Sequence, residues 1–312
     1  RNGSFRFPVT LDPVAGPTLG GFLVTASDWR WIFFINVPIG VLVVVMALTI
    51  IPEAGGRKGH RLDLPGVALA SLALVCLTFG LVEGERFGWA GVWGVLTIPR
   101  ILIAGALVMA VFVVYQARRQ DAEPLVPFSL FRDRTYAVMN VVAMCVSLAM
   151  IGIFFPLVIY LQSVLGFSAL QAGLVIAPMS LMSMAMAPFA GRLADRTGGG
   201  WILVGGLTAF AAGIGVVVAL ADVDTAWWYF TAPLVLAGLG LGGIFAPMNT
   251  MAMRRVPSPM AGAASGVLNT GRQFGGVLGS AVVGAVLQSR LVTTLRAEAV
   301  ARSGDVPQEF RS

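Results

Sequence analysis

The amino-acid sequence predicts an all-α protein, a polytopic transmembrane helical bundle with about nine spans. Composition is the first reason. Apolar residues make up 57% of the 312 residues and charged residues only 12%, whereas soluble domains carry roughly 25% charged residues because their surfaces face water. The second reason is that the apolar residues fall in runs of about 20, the length that a helix needs to cross about 30 Å of hydrocarbon. Most of the surface is therefore expected to face lipid.

Nine segments qualify as spans. The first is weak because Asp12 and Pro13 interrupt it. The 38 glycines and 17 prolines suit membrane helices, since small residues allow close backbone approach and neighbouring helices satisfy the carbonyls that proline frees. In chain order the predicted spans are 8–26, 31–51, 64–82, 99–117, 137–160, 169–190, 201–221, 227–250 and 261–287.

Orientation follows from the arginines and lysines of the short loops, which are enriched on the cytoplasmic side. One set of alternate loops holds eleven such residues: Arg57, Lys58, Arg61, Arg118, Arg119, Arg132, Arg134, Arg192, Arg196, Arg254 and Arg255. The opposite set holds three, Arg30, Arg86 and Arg100. We therefore expect a multi-pass protein of the bacterial inner membrane, with residue 1 on the cytoplasmic side and residue 312 on the extracytoplasmic side.

Other classes of protein fit the sequence poorly. The net charge of +6 does not indicate a nucleic-acid partner, because the arginines lie in short clusters between apolar runs and form no basic stripe. Cys76 and Cys145 stand alone in apolar runs, which predicts neither a disulfide nor a metal pair. Residues 198–200 are three glycines without the Lys-Ser/Thr of a phosphate-binding loop. We predict no enzyme activity, no catalytic residues, no cofactor and no metal.

Glycine and proline are concentrated in the first predicted span, at Gly16, Pro17, Gly20 and Gly21. Pro17 has no N–H and loosens the helix, while the glycines expose backbone for close helix contact. A generic packing face is the alternative interpretation. The stretch is followed closely by a Trp-Arg-Trp and Asn-Val-Pro-Ile-Gly string within 28–40.

A second stretch, 160–174, predicts a short turn between two spans. Gly166 and Ser168 break the helix and restart it. Gln162 lies just before this turn, and we assign it to a substrate pathway.

A third stretch follows the predicted span 169–190 and contains Gly191, Arg192, Asp195 and Arg196. Asp195 lies within one helical turn of both arginines, a spacing that permits ion pairs or a contact with a helix end. Gly191 would allow the end of the span to pack closely. The alternative is an ordinary cytoplasmic loop in which the arginines only set orientation.

The last predicted span carries Asn269, Arg272 and Gln273. Arg272 lies about 15 Å into the span at 1.5 Å per residue, and an arginine at that depth is costly unless it faces water or a partner. Positions 265, 269, 272, 276 and 280 share one small, polar helix face, as expected for a cavity wall. The alternative is a structural arginine bonded to carbonyls of a neighbouring helix.

Two further amides, Asn36 and Asn249, lie near span ends. We include both in the substrate pathway, although polar packing between helices would explain them equally well.

Together these stretches resemble the fourteen-span drug–proton antiporters of the major facilitator superfamily, the EmrB/QacA type, over about residues 14–288. The first stretch is similar to the antiporter motif, the third to the second copy of the cytoplasmic gate signature, and 269–276 to a pattern on the thirteenth span. The stretch 160–174 is similar to the turn after the ninth span, with Ala169 where such proteins usually have proline.

The resemblance implies a domain arrangement of the major facilitator type. The nine spans would correspond to the fifth to thirteenth of fourteen, and 64–82 and 99–117 to an inserted central pair. It places the end of an N-terminal half at 1–56, the cytoplasmic loop and inserted pair at 57–118, a C-terminal half without its last span at 119–288, and an extracytoplasmic tail at 289–312. An odd number of spans and an opening Arg1 lead us to expect part of a longer protein.

The implied function is export of drugs or other amphipathic small molecules by proton antiport with alternating access. The implied partners are the small-molecule substrate, protons, the lipid bilayer and a periplasmic adaptor. Proton coupling rests on the resemblance alone, because Asp12 is the one acid within a predicted span core and lies in the weakest span. The rival interpretation is a truncated, non-transporting membrane protein.

Overall fold

A computed structural model describes residues 30–50, 63–84, 86–93, 96–120, 124–222 and 225–302. Nearly all of these residues are helical. We number the elements in chain order as α1 Trp31–Phe34, α2 Asn36–Ile50, α3 Leu64–Glu83, β1 Gly91–Trp93, β2 Leu96–Thr97, α4 Ile98–Arg118, α5 Arg134–Ile159, α6 Ala169–Thr197, α7 Gly200–Leu220, α8 Thr231–Met253 and α9 Ala261–Arg302. Short 3₁₀ turns cover Phe128–Arg132, Trp227–Phe230 and Ser258–Met260, and a π-helical turn covers Tyr160–Val164.

Seven of the helices in the described residues are long and apolar enough to cross a membrane, which confirms the predicted fold class. They correspond to the seven predicted spans from 64–82 to 261–287. Many large apolar side chains on them are exposed, among them Leu107, Phe189 and Val218. Such a surface is suited to lipid rather than to water.

The two predicted spans at the start of the chain have different outcomes. Segment 8–26 lies outside the described residues. In segment 31–51, α1 and α2 are separated by one turn residue, Ile35, whose backbone is also helical, and α2 reaches Ile50, the last residue described there. Pro38 favours this turn, because it has no N–H to bond the carbonyl of Phe34 four residues earlier.

The last helix is longer than predicted. The predicted span ends at 287, but the helix continues to Arg302, through residues that we expected to form a polar tail without further span. Alanine, leucine and arginine, which favour helix, are frequent in this stretch.

Local capping explains where several helices begin and end. Gly166 has a positive φ of 70° and is followed by Ser168, whose hydroxyl accepts from Gln171 N–H in a capping box at the start of α6. Gly198, also left-handed with φ 88°, ends α6 and donates its N–H to the carbonyl of Ala194. The predicted break and restart at Gly166 and Ser168 is confirmed.

Backbone contacts divide the described residues into two compact units. The first contains α1, α2, α6, α7, α8 and the two ends of α5. The second contains α3, α4, the middle of α5 (140–156) and α9 from Gly262 onwards. This division does not follow the predicted boundaries at 56, 118 and 288, which describe sequence halves and remain a prediction.

Glycine controls the packing of the first unit. In α8, a methyl group at Gly242 would lie 2.6 Å from the carbonyl oxygen of Ser183 in α6, and one at Gly240 would lie 2.6 Å from that of Gly206 in α7. Gly213 of α7 has the same relation to Pro233 of α8. Helix α8 therefore has a close neighbour on two sides, with α6 parallel to it and α7 antiparallel.

The second unit has two helix pairs. Helices α3 and α4 form an antiparallel hairpin, in which Gly80 lies against Leu102 and Gly105 against Cys76 and Leu77. The two short strands, paired antiparallel, join them.

Helices α5 and α9 run parallel in this unit. Gly275 lies against the backbone of Met144, and a methyl group at Gly279 would lie 2.6 Å from the carbonyl oxygen of Leu148.

Candidate functional site

The proposed gate residues Gly191, Arg192, Asp195 and Arg196 lie in the last turns of α6, which ends at Thr197. The helix continues about seven residues beyond the predicted span, so these residues are helical rather than part of a loop. The three charged residues are exposed and Gly191 is half-buried. Arg196 near the C-terminus of the helix is favourable, because cations stabilise the negative end of the helix dipole.

Close packing does not require glycine at position 191. A methyl group there would lie 3.5 Å from the Cβ of Ala246 in α8, an ordinary van der Waals distance. The tight position lies one turn later, at Ala194, whose exposed fraction is 1%.

The turn between α6 and α7 does require glycine. Gly198 and Gly199 both adopt left-handed backbone, with φ of 88° and 81°, which costs L side chains energy. A methyl group at Gly198 would lie 3.3 Å from Nη1 of Arg254, just after α8, and one at Gly199 would lie 3.2 Å from Cγ of Met251. The end of α6 and the end of α8 therefore meet at this turn, with the Arg254 guanidinium beside the C-terminal end of α6.

An ion pair joins the start of α5 to the same end of the first unit. Nη1 of Arg255 lies 3.8 Å from Oδ2 of Asp133, and Oδ1 of Asp133 accepts from the N–H of Thr135 at 2.8 Å. Because the Arg255 side chain is largely exposed, the pair contributes little to stability. This end, defined by Asp133, the last turns of α6 and Arg254–Arg255, is called the basic end below.

The substrate-pathway residues are dispersed. Asn36 is the first residue of α2 and is exposed; Gln162 is exposed in the π-helical turn after α5; Asn249 is exposed near the end of α8. Gln162 and Asn249 belong to the same unit but lie at its opposite ends, because α6 runs from the first to the second. The antiporter residues Gly16, Pro17, Gly20 and Gly21 lie outside the described residues.

Helix α9 places Asn269, Arg272 and Gln273 beside its packed side. Asn269 and Gln273 are exposed, and Arg272 is half-buried. The glycines 271, 275 and 279 face α5, and the positions 272, 276 and 280 each follow one of them. Since successive helix residues are about 100° apart, the polar face lies next to the α5-packed face. The two meet at Gly276, where an added methyl group would lie 3.6 Å from Cγ1 of Ile151 in α5.

Further polar groups lie on α9 and on the neighbouring helix α5. The Ser280 hydroxyl donates to the Val277 carbonyl at 2.8 Å, and the Ser265 hydroxyl to the Gly262 carbonyl at 3.0 Å. A methyl group at Gly271 would lie 3.9 Å from Oδ1 of Asn140 in α5. Asn140 is a membrane amide that the sequence interpretation missed, although its position in an apolar run was a signal.

The profile of the Major Facilitator Superfamily matches residues 1–280. The chain belongs to this superfamily.

Three relatives illustrate the similarity. An uncharacterized MFS-type transporter of Mycobacterium tuberculosis (strain ATCC 25618 / H37Rv) is 31% identical over 308 residues, covering 98% of this chain and 52% of the relative. The multidrug resistance protein Stp of the same strain is 33% identical over 291 residues, covering 92% of this chain and 52% of the relative. The tetracenomycin C resistance and export protein of Streptomyces glaucescens is 33% identical over 284 residues, covering 91% of this chain and 52% of the relative. The chain thus spans about half the length of these curated relatives.

This major facilitator chain also contains a polar network that the sequence interpretation missed. Asp63 caps the start of α3, and its carboxylate accepts from the Tyr115 hydroxyl at 2.7 Å, Gln116 Nε2 at 2.8 Å and the Gly66 N–H at 3.2 Å. Nη1 of Arg119 lies 3.3 Å from its Oδ1. An Asp directly before Leu-Pro at the start of a helix was a signal for the cap. The sequence did not indicate Tyr115, Gln116 and Arg119, which lie 52, 53 and 56 residues away from Asp63.

The environment of Asp63 favours its charged form. Burial alone would raise its pKa, but the hydrogen bonds from Tyr115, Gln116 and Gly66, together with the charge of Arg119, outweigh burial. The pKa of Asp63 therefore lies below its ordinary value, and the carboxylate is ionised at neutral pH. It is suited to hold helix ends in place rather than to carry protons.

Within the described residues, no three His, Cys, Asp or Glu side chains come together to hold a metal ion. The basic end and the polar face of α9 can instead bind charged or polar groups and hold helix ends.

Proposed function

We propose that the protein containing this chain exports amphipathic small molecules, drugs among them, across the bacterial inner membrane. Membership of the major facilitator superfamily supports a transporter. The names of two relatives, a multidrug resistance protein and a resistance and export protein, favour an exporter over a non-transporting remnant.

One structural observation carries the proposal: the polar face of α9, at positions 265, 269, 272, 276 and 280, lies beside a side packed by glycines 271, 275 and 279. A polar face in a membrane helix is costly in lipid. It is tolerated where it lines a water-filled cavity, so we assign Asn269, Arg272 and Gln273 to the wall of the transport pathway, with Asn36, Gln162 and Asn249 as further polar positions along it.

The mechanism we propose is alternating access driven by proton entry, as in fourteen-span antiporters of the EmrB/QacA type. The nine sequence segments would correspond to the fifth to thirteenth spans, with α3 and α4 as the inserted central pair and with the halves at the boundaries given above. Two halves would rock around a site near the middle of the bilayer. A periplasmic adaptor is a further proposed partner.

The basic end is proposed as the cytoplasmic gate region. Its four arginines at positions 192, 196, 254 and 255 agree with the enrichment of positive residues on the cytoplasmic side. There Asp195, between Arg192 and Arg196 on the last turns of α6, would stabilise one closed geometry. Gly16, Pro17, Gly20 and Gly21 would supply the antiporter motif in the first span.

The test is transport by the complete gene product in inside-out vesicles with an acidic interior. A fluorescent cationic drug should accumulate in these vesicles, and a protonophore should abolish the accumulation. The variant Asp195→Asn should reduce the accumulation at unchanged abundance. Glu83→Gln is the matched control, because Glu83 lies at the end of α3 and forms an ion pair with the exposed Arg86 at 3.3 Å.

Two results would contradict the proposal at different levels. Absence of gradient-dependent accumulation for a panel of amphipathic drugs would support the non-transporting alternative. Normal accumulation by Asp195→Asn would reduce the gate residues to an orientation signal and leave export standing.

A further inference from the structure

The hydrogen-bond network at Asp63 does not end at the α3–α4 hairpin. Gln116 is fully buried in the last turn of α4. Its side-chain N–H donates to Asp63 Oδ2 at 2.8 Å, and its Oε1 accepts from the N–H of Val126 at 3.4 Å. Through Gln116 the network therefore passes from the helix hairpin to the chain segment that leads from α4 to α5.

Gln120 makes a second set of bonds to the same segment. Its Nε2 donates to the carbonyl of Gln116 at 2.9 Å and to the carbonyl of Val126 at 3.2 Å. Its Oε1 accepts from the N–H of Phe128 at 2.8 Å. Both backbone groups of Val126 and the N–H of Phe128 are thus satisfied by two glutamine side chains.

The hairpin side of the network has no spare room or spare acceptor. A methyl group at Gly66 would lie 2.6 Å from Gln116 Nε2 and closer still to Asp63 Oδ2, so glycine is needed for the carboxylate to sit there. The two carboxylate oxygens have about four acceptor sites. Four donors occupy them, from Gly66, Tyr115, Gln116 and Arg119.

A simple helix cap explains only part of this arrangement. A cap on α3 needs Asp63 and the N–H of Gly66, and a hairpin clamp needs in addition Tyr115 and Arg119. Neither requires Gln120, whose bonds go to the end of α4, to Val126 and to Phe128, the first residue of the 3₁₀ turn Phe128–Arg132. Loop backbone groups usually bond to water at the surface, so bonds to two glutamines indicate a loop held in one position.

We propose that Asp63, Gln116 and Gln120 form a polar strap that holds residues 126–128 against the end of the α3–α4 hairpin. Gln120 is its positioning residue at the loop, and Gln116 joins the loop to the hairpin. The strap makes the hairpin and residues 126–128 one rigid element. This inference concerns conformation and does not depend on what the protein transports.

The experiment is hydrogen exchange of the full chain in nanodiscs, followed at the amides of Val126, Phe128 and Gly66. The variant Gln120→Met keeps side-chain length but removes the donor and the acceptor. It should accelerate exchange at Phe128 by about tenfold, the factor expected for one lost hydrogen bond. Exchange at Val126 should also accelerate, because its carbonyl loses the bond from Gln120 and the loop is released, while Gly66 should be unchanged. Gln120→Glu keeps the acceptor and should restore most of the protection at Phe128.

The matched control is Gln171→Met, which removes a glutamine from the capping box of α6 and should leave all three amides unchanged. Asp63→Asn should accelerate exchange at Gly66 as well as at the loop. Fast exchange at Val126 and Phe128 in the unaltered chain, or equal acceleration of all three amides by Gln120→Met, would overturn the strap. If Asp63→Asn fails to fold, the two Gln120 variants still test the strap, because Gln120 lies at the end of the helix.

Discussion

Helices α8 and α9 both contain many glycines but use them differently. In α8, glycines face a neighbour on each of two sides, and 56% of its apolar stretch is buried. In α9, glycines face α5 on one side, the next side is polar, and 17% of its apolar stretch is buried. A helix enclosed on two sides is fixed by packing, whereas one packed on a single side presents the rest of its surface to lipid, water or a ligand.

The largest expected effect tests this difference directly. Gly240→Ala would place a methyl group against the backbone of both Gly206 and Phe210 of α7, so we expect destabilisation of about 3 kcal/mol or more, the upper end for overpacking. The three atoms nearest to a methyl group at Gly275 all belong to Met144 of α5, so Gly275→Ala should cost less, about 1–3 kcal/mol. Thermal unfolding in detergent measures both.

Each helix pair offers a matched control. Gly205 on α7 and Gly266 on α9 have no atom within 4 Å of an added methyl group, so alanine at either position should be neutral or slightly stabilising. Equal destabilisation by Gly240→Ala and Gly205→Ala would mean that α7 and α8 are not packed as described.

A second prediction concerns the polar side of α9. Arg272→Gln should leave the unfolding temperature nearly unchanged but reduce drug transport by about tenfold, or roughly 1.4 kcal/mol, because an arginine within a span serves a functional contact by default. Arg290→Gln, an exposed arginine on the same helix, is the control and should transport normally. A large loss of stability with Arg272→Gln would instead favour a structural arginine.

The third prediction extends the comparison to the end of α8. Gly198→Ala forces a left-handed residue beside Arg254, and should cost about 1–2 kcal/mol from the strained backbone. Gly200→Ala, two residues later, has ordinary backbone and no atom within 4 Å, so its unfolding temperature should not fall. Similar unfolding temperatures for the two variants would exclude the left-handed turn.

The smallest expected effect is a dependence of stability on pH at Asp63, which lies outside α8 and α9. The pKa of Asp63 is lowered in the folded chain, so its stabilisation is present above the unfolded pKa of about 3.9 and is lost as pH falls through the lower, folded pKa. The protection factor of the Gly66 amide should be constant from about pH 8 to about pH 5 and decline only in acid. A decline near pH 6 would contradict this, and Asp63→Asn should show no such acid transition.

The sequence predicted what depends on local composition. Seven spans, the break at Gly166 and the restart at Ser168 follow from apolar length and capping residues. The helical character of Arg192–Arg196 was missed because glycine and charge at a span end indicate a loop equally well. The one-residue turn at Ile35 was not predicted, because an apolar run of this length indicates a span with or without Pro38.

Contacts between segments that are distant along the chain could not be predicted from the sequence. Asp63 and Gln116 are 53 residues apart, and only the register of α3 against α4 brings them together. Likewise, glycine count alone does not show that Gly240 faces α7 while Gly275 faces α5. The polar face of α9 was predictable because its residues share one helix, but its position beside the packed face was not.

The most direct test of the central claim is water accessibility along α9. With Cys76 and Cys145 replaced by serine, single cysteines at positions 265, 269, 272 and 276 of the complete protein should react with a membrane-impermeant maleimide. Cysteines at 267, 274 and 278, on the opposite side of the helix, should be protected. Equal protection of both sets would show that the polar face of α9 does not line an aqueous pathway.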